Sequence, residues 1–314
     1  MTNKEKYRKF CEREKGVPIF SQAWHLDVVT EDGEWDVVLV IKSGKVVASY
    51  PFFVKKNGPF TYITQPLYSK LMGPYITDEF NTSKHENSIL KELIEQLPSV
   101  AAIEQNFHYS FTNWLPFYWA GFQQTTSYTY VLQGLSDLDK VYAQLDRHYR
   151  NKIIPRAQEN LRITTDRSLE DFHRVFSLSF QRQNLPSPLS LTFLKKYDAV
   201  MAANNARKIF FAVDEQDQIH SVLYLAWDDR SSYYHLAGDD PTLRNSGSGI
   251  FLTWQAIKYT QEVLGLDVFD FEGSMIPGIE KVRRKFGAKQ MPYFFVSKTN
   301  SKTFAFLRWV KSFT

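Results

Sequence analysis

The strongest constraint on the fold of this chain is a β-hairpin pattern that occurs once in each half of the sequence. Two apolar runs at 35–42 and 45–54 flank Ser43-Gly44, which predicts a strand, a tight turn and a return strand. A similar pair of runs, at 208–214 and 218–227, follows about 170 residues later. Each half then continues as strand, helix, strand, helix, strand. The pattern predicts two mixed α/β (α+β) domains in tandem, each with a mostly antiparallel sheet flanked by helices.

The boundary between the halves lies in a long run without charged side chains. No Asp, Glu, Lys or Arg occurs in residues 106–136, and Gly134 follows a strand-like segment within that run. We therefore expect an N-terminal domain at 1–134 and a C-terminal domain at 135–314.

Local signals outline the second domain. An apolar stripe at helical spacing predicts a helix that is kinked at Pro155, and Ser168 predicts the start of a helix that ends near Gln183. A further helix is predicted at 250–264, and a strand at 268–272 follows it.

Composition and charge exclude several classes of protein. The net charge of +4 is too small to indicate DNA as a partner, and the single cysteine, Cys11, excludes an internal disulfide and a cysteine-rich zinc site. The seven histidines show no metal-ligand spacing, so we expect no metal. No apolar run is long enough to span a membrane and the first residues do not resemble a signal peptide, which predicts a cytoplasmic protein.

Aromatic residues are unusually frequent, at 16% of the chain. Such a surplus predicts a densely packed core and an aromatic-lined cleft, with core packing favoured for any single ring.

A glycine-rich segment precedes the helix predicted at 250–264. Glycines let a ligand approach the backbone, and the free amides at a helix start bind phosphate oxygens. The segment lacks the Gly-Lys-Ser/Thr ending of a Walker loop. The alternative is a flexible loop in which Ser248 only caps the helix. The candidate ligand-binding residues are Arg244, Asn245, Ser246, Gly247, Ser248 and Gly249.

Two acidic residues lie at alternate positions of the strand predicted at 268–272. On a strand, Asp270 and Glu272 share one face, and Phe269 and Phe271 pack on the other. Two neighbouring carboxylates in a covered sheet must be paired, hydrated or functional, and one of them is suited to act as a general base. The alternative is that one acid caps a helix and the other pairs with Arg283 or Arg284.

Positive charge is concentrated at the end of the sequence. From Gly278 onward the chain has nine Lys or Arg residues and one acid, Glu280. This pattern is typical of a solvated basic helix, and it also fits a pocket for phosphate or an anionic lipid headgroup.

These motifs together resemble a known superfamily. The segment Arg244–Gly249 matches the pyrophosphate loop, Gln/Arg-x-x-Gly-x-Gly/Ala, of the Gcn5-related N-acetyltransferases (GNAT), the acyl-CoA N-acyltransferase fold. The whole chain is similar to its FemAB-like branch, which has tandem domains and includes BioF2-like acetyltransferases. The basic helix at 147–156, the strand end at 270–274 and Phe286-Gly287-Ala288 carry this second resemblance.

The resemblance implies an acyltransferase with a degenerate N-terminal GNAT-like domain and a donor-binding C-terminal one. Acetyl-CoA or another acyl-CoA would be the co-substrate, and the acceptor would be a primary amine of a small or lipid-linked anionic envelope precursor, with peripheral membrane contact. Glu272 would be the base, assisted by Asp270, and Arg283 would bind the anionic acceptor. Further substrate-binding candidates are Trp227, Tyr234, Ser274 and Arg284.

Two alternatives remain open at the level of sequence. Some tRNA-dependent members of the branch carry a long helical hairpin that this chain lacks, so tRNA is a less favoured donor than acyl-CoA. The other alternative is a non-catalytic binding module of the same fold.

Overall fold

The computed structural model describes residues 1–182 and 184–311, which form two compact units. Unit 1 comprises Met1–Ser127 with Pro292–Thr314, and unit 2 comprises Tyr128–Met291. The sequence places everything after Gly134 in one domain, whereas in the structure the final segment groups with unit 1. The expected end of a helix near Gln183 lies outside the described residues.

Unit 1 contains one mixed sheet and five helices within its described residues. Its strands run in the order β1-β2-β3-β5-β12, with β4 beside β2, and only the β3–β5 pair is parallel. The hairpin predicted at 35–54 is β1–β2. The elements are α1 (Asn3–Cys11), α2 (Ala23–Val29), β1 (Glu34–Lys42), β2 (Lys45–Asn57), β3 (Phe60–Thr64), β4 (Tyr75–Ile76), α3 (Glu86–Glu95), β5 (Ala102–Asn106), α4 (Leu115–Trp119), β12 (Lys289–Thr299) and α11 (Lys302–Lys311).

The core of unit 1 explains much of the aromatic surplus. Phe117 is fully buried and packs edge to face against Phe107 and Phe122, with ring centroids 5.0 and 5.2 Å apart. Tyr50 joins the same cluster, and Leu90 of α3 lies in the same core. Since such contacts need buried rings, this group is packing rather than a cleft lining.

The strands of unit 2 also pair in a mixed, mostly antiparallel pattern. Its strands run in the order β6-β11-β10-β9-β8-β7, and only the β10–β11 pair is parallel. The fold class expected from the sequence is therefore confirmed. The elements are β6 (Gln123–Gln133), α5 (Leu138–Gln144), α6 (Ile154–Asn160), β7 (Arg162–Thr164), α7 (Leu169–Gln181), α8 (Leu191–Ala203), β8 (Arg207–Val213), β9 (Ile219–Trp227), β10 (Ser232–Asp239), α9 (Ser248–Glu262), β11 (Val268–Asp270) and α10 (Pro277–Lys285).

The two faces of the unit 2 sheet carry different helices. Leu223 and Leu225 of β9 share a core with Phe251 and Ile257 of α9. Tyr224, which points the other way, contacts Phe172 of α7 with ring centroids 5.9 Å apart. We call these the α9 face and the α7/α8 face. Residues that alternate along β9 and β10 therefore reach different surroundings.

Two local predictions differ from the structure in detail. The kink at Pro155 is a single π-helical turn at Tyr149–Ile153, and α6 begins directly after it. Helix α9 starts two residues before the predicted position because Gly247, in the left-handed region (φ 79°), is its N-cap; Ser248 is already helical and does not cap it. None of the described helices has the length and apolar character needed to cross a membrane.

Candidate functional site

The sheet of unit 2 opens between its two parallel strands. β10 and β11 pair only at Ser232–Phe269 and Tyr233–Asp270, after which β11 ends and β10 continues to Asp239. The pairing of β10 with β9 also shifts by one residue between Tyr234 and Leu236. A bulge of this kind redirects side chains and is common beside active sites. His235 is the extra residue at this bulge, because Tyr234 lies opposite Leu225 and Leu236 lies opposite the next residue, Tyr224. The alternation of side chains between the two faces of the sheet therefore changes at His235.

Asp270 holds the backbone at the end of β11. Its carboxylate is fully buried, and Oδ1 accepts hydrogen bonds from Thr129 Oγ1 at 2.5 Å and from the Glu272 amide at 2.8 Å. Glu272 and Gly273 both have positive φ, 54° and 50°, so the chain turns sharply there. This turn ends the strand two residues before the predicted position. Asp270 is thereby placed to position Glu272.

Glu272 is the end of a buried hydrogen-bonded chain on the α7/α8 face. Its Oε1 lies 2.8 Å from His235 Nδ1, and His235 Nε2 lies 2.9 Å from the Tyr197 hydroxyl. Because a carboxylate only accepts, Nδ1 carries the proton, and in the neutral ring Nε2 then accepts from the hydroxyl. Among the described residues, none donates to the second oxygen, Oε2. The arrangement leaves one carboxylate oxygen for a ligand.

These hydrogen-bonded side chains are largely shielded from solvent. The side chains of His235 and Glu272 are 2% and 11% exposed. Burial, with a further contribution from the negative charge of Glu272, raises the pKa of Tyr197 well above its usual range. Tyr197 therefore stays protonated and remains a donor at ordinary pH. Beside it, Tyr224 donates to Asp198, which also pairs with Arg207.

The glycine-rich segment packs closely against its own domain. A Cβ on Gly247 would lie 2.6 Å from Ile153 Cγ2, at the end of the π-helical turn. A Cβ on Gly249 would lie 3.0 Å from Asp239 Oδ1. That same Oδ1 accepts from Ser221 Oγ, which also contacts Ser248 Oγ at 2.5 Å. The positive φ and the close contact favour glycine at position 247, and a side chain at position 249 would crowd the Asp239 carboxylate.

The first turn of α9 still offers backbone donors. Because a helix begins without carbonyl partners for its first amides, Gly249 and Ile250 have none within α9. The Ser248 amide donates weakly to Ser246 Oγ at 3.3 Å, while Arg244 and Asn245 are exposed. The Asp239 carboxylate lies close to these amides and adds a negative charge where an anion would bind.

Arg283 lies on the α9 face, beside Tyr234. Its guanidinium is 4.2 Å from the centre of the Tyr234 ring and 4.9 Å from that of Phe271. Its Nε is buried without a hydrogen-bond partner, and no described carboxylate pairs with it. Burial is the main influence on the pKa of Tyr234 and raises it above its usual value. The positive charge of Arg283 works against this increase, and the negative charge of Asp239 adds to it. A half-buried guanidinium beside two rings is suited to an anionic ligand group.

Other candidates from the sequence lie elsewhere. Arg284 pairs with Glu280, whose carboxylate also accepts from the Tyr130 hydroxyl at 3.1 Å. Hydrogen bonding to Arg284 lowers the pKa of Glu280. Trp227 lies opposite Ser232, at the far end of β10 from the glycine-rich segment, and Ser274 Oγ accepts from the Ile276 amide within a turn.

The structure therefore divides the predicted site into two groups. Glu272 and Asp270 lie at the end of β11, with the Glu272 side chain directed to the α7/α8 face; Tyr234, Arg283 and the glycine-rich segment lie on the α9 face. The alternative interpretation, in which an acid of this strand pairs with Arg283 or Arg284, does not hold for Glu272, whose partner is His235.

His235 and Tyr197 are the residues that sequence reasoning undervalued. His235 is one of seven histidines without metal-ligand spacing, and Tyr197 lies on a helix with no motif of its own. The bulge, and the packing of α8 on the sheet, bring them together.

Two further features carry no predicted site residue. A pocket of about 490 Å³ lies in unit 1 between α3 and α4, with the exposed Trp119 in its wall. Within residues 1–182 and 184–311, no group of three or more His, Cys, Asp or Glu side chains could hold a metal ion.

Comparison with known proteins identifies the second half of the chain. Residues 137–289 match the family model described as an acetyltransferase (GNAT) domain. The chain carries a GNAT domain. The resemblance of this half of the chain to the superfamily is thus confirmed, and the comparisons support an enzyme of the N-acyltransferase type. The sequence has no significant match among curated proteins.

Solved structures share the fold over nearly the whole chain. FemX superposes with a TM-score of 0.72 at 12% identity, covering 94% of this chain and 96% of its own. The C-terminal domain of a putative lysylphosphatidylglycerol synthetase from Agrobacterium fabrum gives 0.60 at 11% identity, covering 99% and 95%. A tandem GNAT protein from the clavulanic acid biosynthesis pathway gives 0.54 at 10% identity, covering 95% and 94%. At these identities the likeness shows a common fold, including the tandem arrangement.

Proposed function

We propose that the chain is an N-acyltransferase that moves an acyl group from an activated donor to a primary amine. The observation that carries this proposal is the Glu272 carboxylate, held by His235 and Tyr197 beside the opening between β10 and β11. The Oε1 atom of Glu272 is held by His235, and the Oε2 atom can accept a proton from a bound amine. This is the arrangement that a general base for an amine nucleophile needs.

The reaction follows from this geometry. The amine nitrogen attacks the acyl carbonyl, a C–N bond forms, and the bond to the leaving group breaks. The proton lost by the amine passes to Glu272 Oε2, directly or through water, and the leaving thiol or hydroxyl takes up a proton. His235 and Tyr197 keep the carboxylate in place, and strand amides at the opening stabilise the negative charge on the carbonyl oxygen.

For the donor we propose acyl-CoA, with its diphosphate on the first-turn amides of α9. Gly249 and Ile250 supply donors there, and the exposed Arg244 adds a positive charge. Arg283 lies on the same face, so its guanidinium fits a phosphate of the donor better than the anionic acceptor to which the sequence assigned it. The acceptor is an amine of a small or lipid-linked envelope precursor.

A second candidate, aminoacyl transfer from tRNA, is favoured by Asp239. Its carboxylate lies beside Gly249, where it repels a diphosphate. An aminoacyl ester carries no diphosphate at that point. FemX and a putative lysylphosphatidylglycerol synthetase share the fold, which is compatible with this donor.

A binding screen distinguishes the donors. Acetyl-CoA, longer acyl-CoAs and charged tRNA are each added to the chain, and the melting temperature is measured. A bound donor raises the midpoint by linkage. An increase with acyl-CoA alone supports the first donor, an increase with charged tRNA alone supports the second, and no increase with any of them contradicts both.

The Glu272→Gln variant tests the base. We expect kcat to fall about 100-fold or more, because the amide keeps the shape of the carboxylate but does not accept the proton. Glu280→Gln is the matched control, since Glu280 is a carboxylate of α10 that pairs with Arg284, and its activity should stay within about threefold. Retention of activity in Glu272→Gln would show that another group is the base.

A further inference from the structure

Helix α11 of unit 1 is attached to its sheet by a small part of its surface. Phe304 is buried and packs against Phe60 and Tyr62 of β3, with ring centroids 5.2 and 5.5 Å apart. One turn later, Arg308 pairs with Glu104 of β5. These two residues lie on the same side of the helix and fix which side faces the sheet.

The opposite side of α11 is apolar and exposed. Phe306, Leu307, Trp309 and Val310 are 60%, 50%, 59% and 42% exposed. At 100° per residue, Phe306, Trp309 and Val310 project away from Phe304. The rings of Phe306 and Trp309 contact each other with centroids 6.1 Å apart. This is the reverse of the usual orientation, in which the apolar side of a surface helix faces the core.

The charge around this apolar side is positive. The segment 292–311 contains Lys298, Lys302, Arg308 and Lys311 and no acidic residue. Glu104 neutralises Arg308, whereas Lys302 lies exposed at the start of the helix. An exposed apolar face with a Trp and a Phe, and with an exposed Lys at the start of the helix, has the composition of a helix that lies in a membrane interface.

We propose that α11 binds the surface of an anionic phospholipid bilayer, with its axis in the plane of the interface. The Phe306 and Trp309 rings enter the boundary between headgroups and acyl chains, and Lys302 contacts lipid phosphates. A second copy of the chain is the less suitable occupant, because two identical basic helices would bring like charges together. This inference does not depend on the proposed acyl transfer.

Vesicle binding by the full chain tests the proposal. We expect cosedimentation with vesicles that contain phosphatidylglycerol, weaker binding to pure phosphatidylcholine, and loss of binding as salt rises. Replacing Phe306 and Trp309 together by Ser should weaken binding roughly tenfold or more, since two large apolar side chains are lost. Lys302→Glu, which leaves the apolar side intact, should weaken it about fivefold or more.

The matched control replaces the exposed aromatic pair Tyr118 and Trp119 of α4 by Ser. Its vesicle binding should equal that of the parent chain. Equal losses in both double variants would contradict the assignment to α11, as would the absence of binding to phosphatidylglycerol vesicles. A dimer in size-exclusion chromatography that is lost only in the Phe306/Trp309 variant would show that a second copy covers the helix and would overturn the proposal.

Discussion

At the scale of single residues, Glu272 combines an unusual backbone with an unusual side chain. Its φ of 54° is uncommon outside glycine, and the Asp270 carboxylate holds its amide in that conformation. His235 then orients its carboxylate. The turn at Glu272–Gly273 and the hydrogen bonds through His235 to Tyr197 together fix the position of the Glu272 carboxylate.

The Tyr197→Phe variant tests whether the hydrogen bonds from Tyr197 through His235 position the Glu272 carboxylate. Without the hydroxyl, the His235 ring loses the contact that holds its Nε2, so the Glu272 carboxylate on the other side of the ring is held less firmly. We expect kcat to fall about tenfold with little change in KM, measured by steady-state kinetics. Tyr259→Phe, which changes a tyrosine of the opposite face, is the control and should keep the kcat of the parent chain. A Tyr197→Phe variant with the kcat of the parent chain would contradict the positioning role.

Gly273→Ala should destabilise the fold more than an ordinary glycine substitution. A Cβ at this position would lie 2.3 Å from the Tyr128 carbonyl oxygen, whereas Gly134, with a similar positive φ, has open space around it. We expect the free energy of unfolding to fall by about 2 to 4 kcal/mol for Gly273→Ala and about 1 kcal/mol for Gly134→Ala. Chemical denaturation measures both, and equal losses would mean that backbone conformation alone sets the cost.

At the scale of secondary-structure elements, the bulge in β10 and the start of α9 define two separate surfaces. The bulge brings His235 to the α7/α8 face, while Asp239, at the end of the same strand, lies beside the first turn of α9. Strand β10 thus contributes a residue to each group of candidate residues, His235 to one and Asp239 to the other. A substitution in either group should leave the function of the other measurable.

Asp239→Asn is the test at this scale. Removing the negative charge beside Gly249 should strengthen binding of an acyl-CoA diphosphate about threefold or more at low salt, with the gain shrinking as salt rises. The control is Glu262→Gln at the other end of the 15-residue helix α9, which makes the same charge change about 20 Å away. If calorimetry shows no difference between the two variants, the diphosphate does not bind at the first turn of α9.

At the scale of the whole molecule, the chain leaves unit 1 and returns to it. β6 pairs with β11 through residues 131–133, so unit 2 needs a strand that begins before Gly134. β12 pairs with β5 through residues 295–299, so unit 1 needs the segment after Met291. The division expected at 134/135 would separate both pairs of strands.

Fragments test this organisation. A fragment of residues 121–291 retains β6 beside β11 and should unfold cooperatively, with near-native circular dichroism. A fragment of residues 135–314 lacks β6 and exposes the edge of β11 together with Phe269, so we expect it to aggregate. Equal cooperativity in the two fragments would show that the strand pairs do not set the domain boundary.

The elements that could be predicted from the sequence are those that depend on residues close together in the chain. Both hairpins, the helix predicted at 250–264 and its glycine-rich start depend on residues close in the chain, and all were found within a few residues of their predicted positions. The motifs and the order of elements together were enough to identify the GNAT superfamily. Helices α1 and α2 were missed because their apolar residues follow no clear period in such short segments.

Tertiary structure alone decided the chemistry of the candidate site. His235 and Glu272 are separated by 37 positions and Tyr197 and His235 by 38, and only the pairing of β10 with β11 and the docking of α8 bring them together. A one-residue bulge in β10 decides which face the His235 side chain meets. Sequence by itself determined the elements, because they form from local contacts; the site forms from contacts between distant elements, which strand register controls.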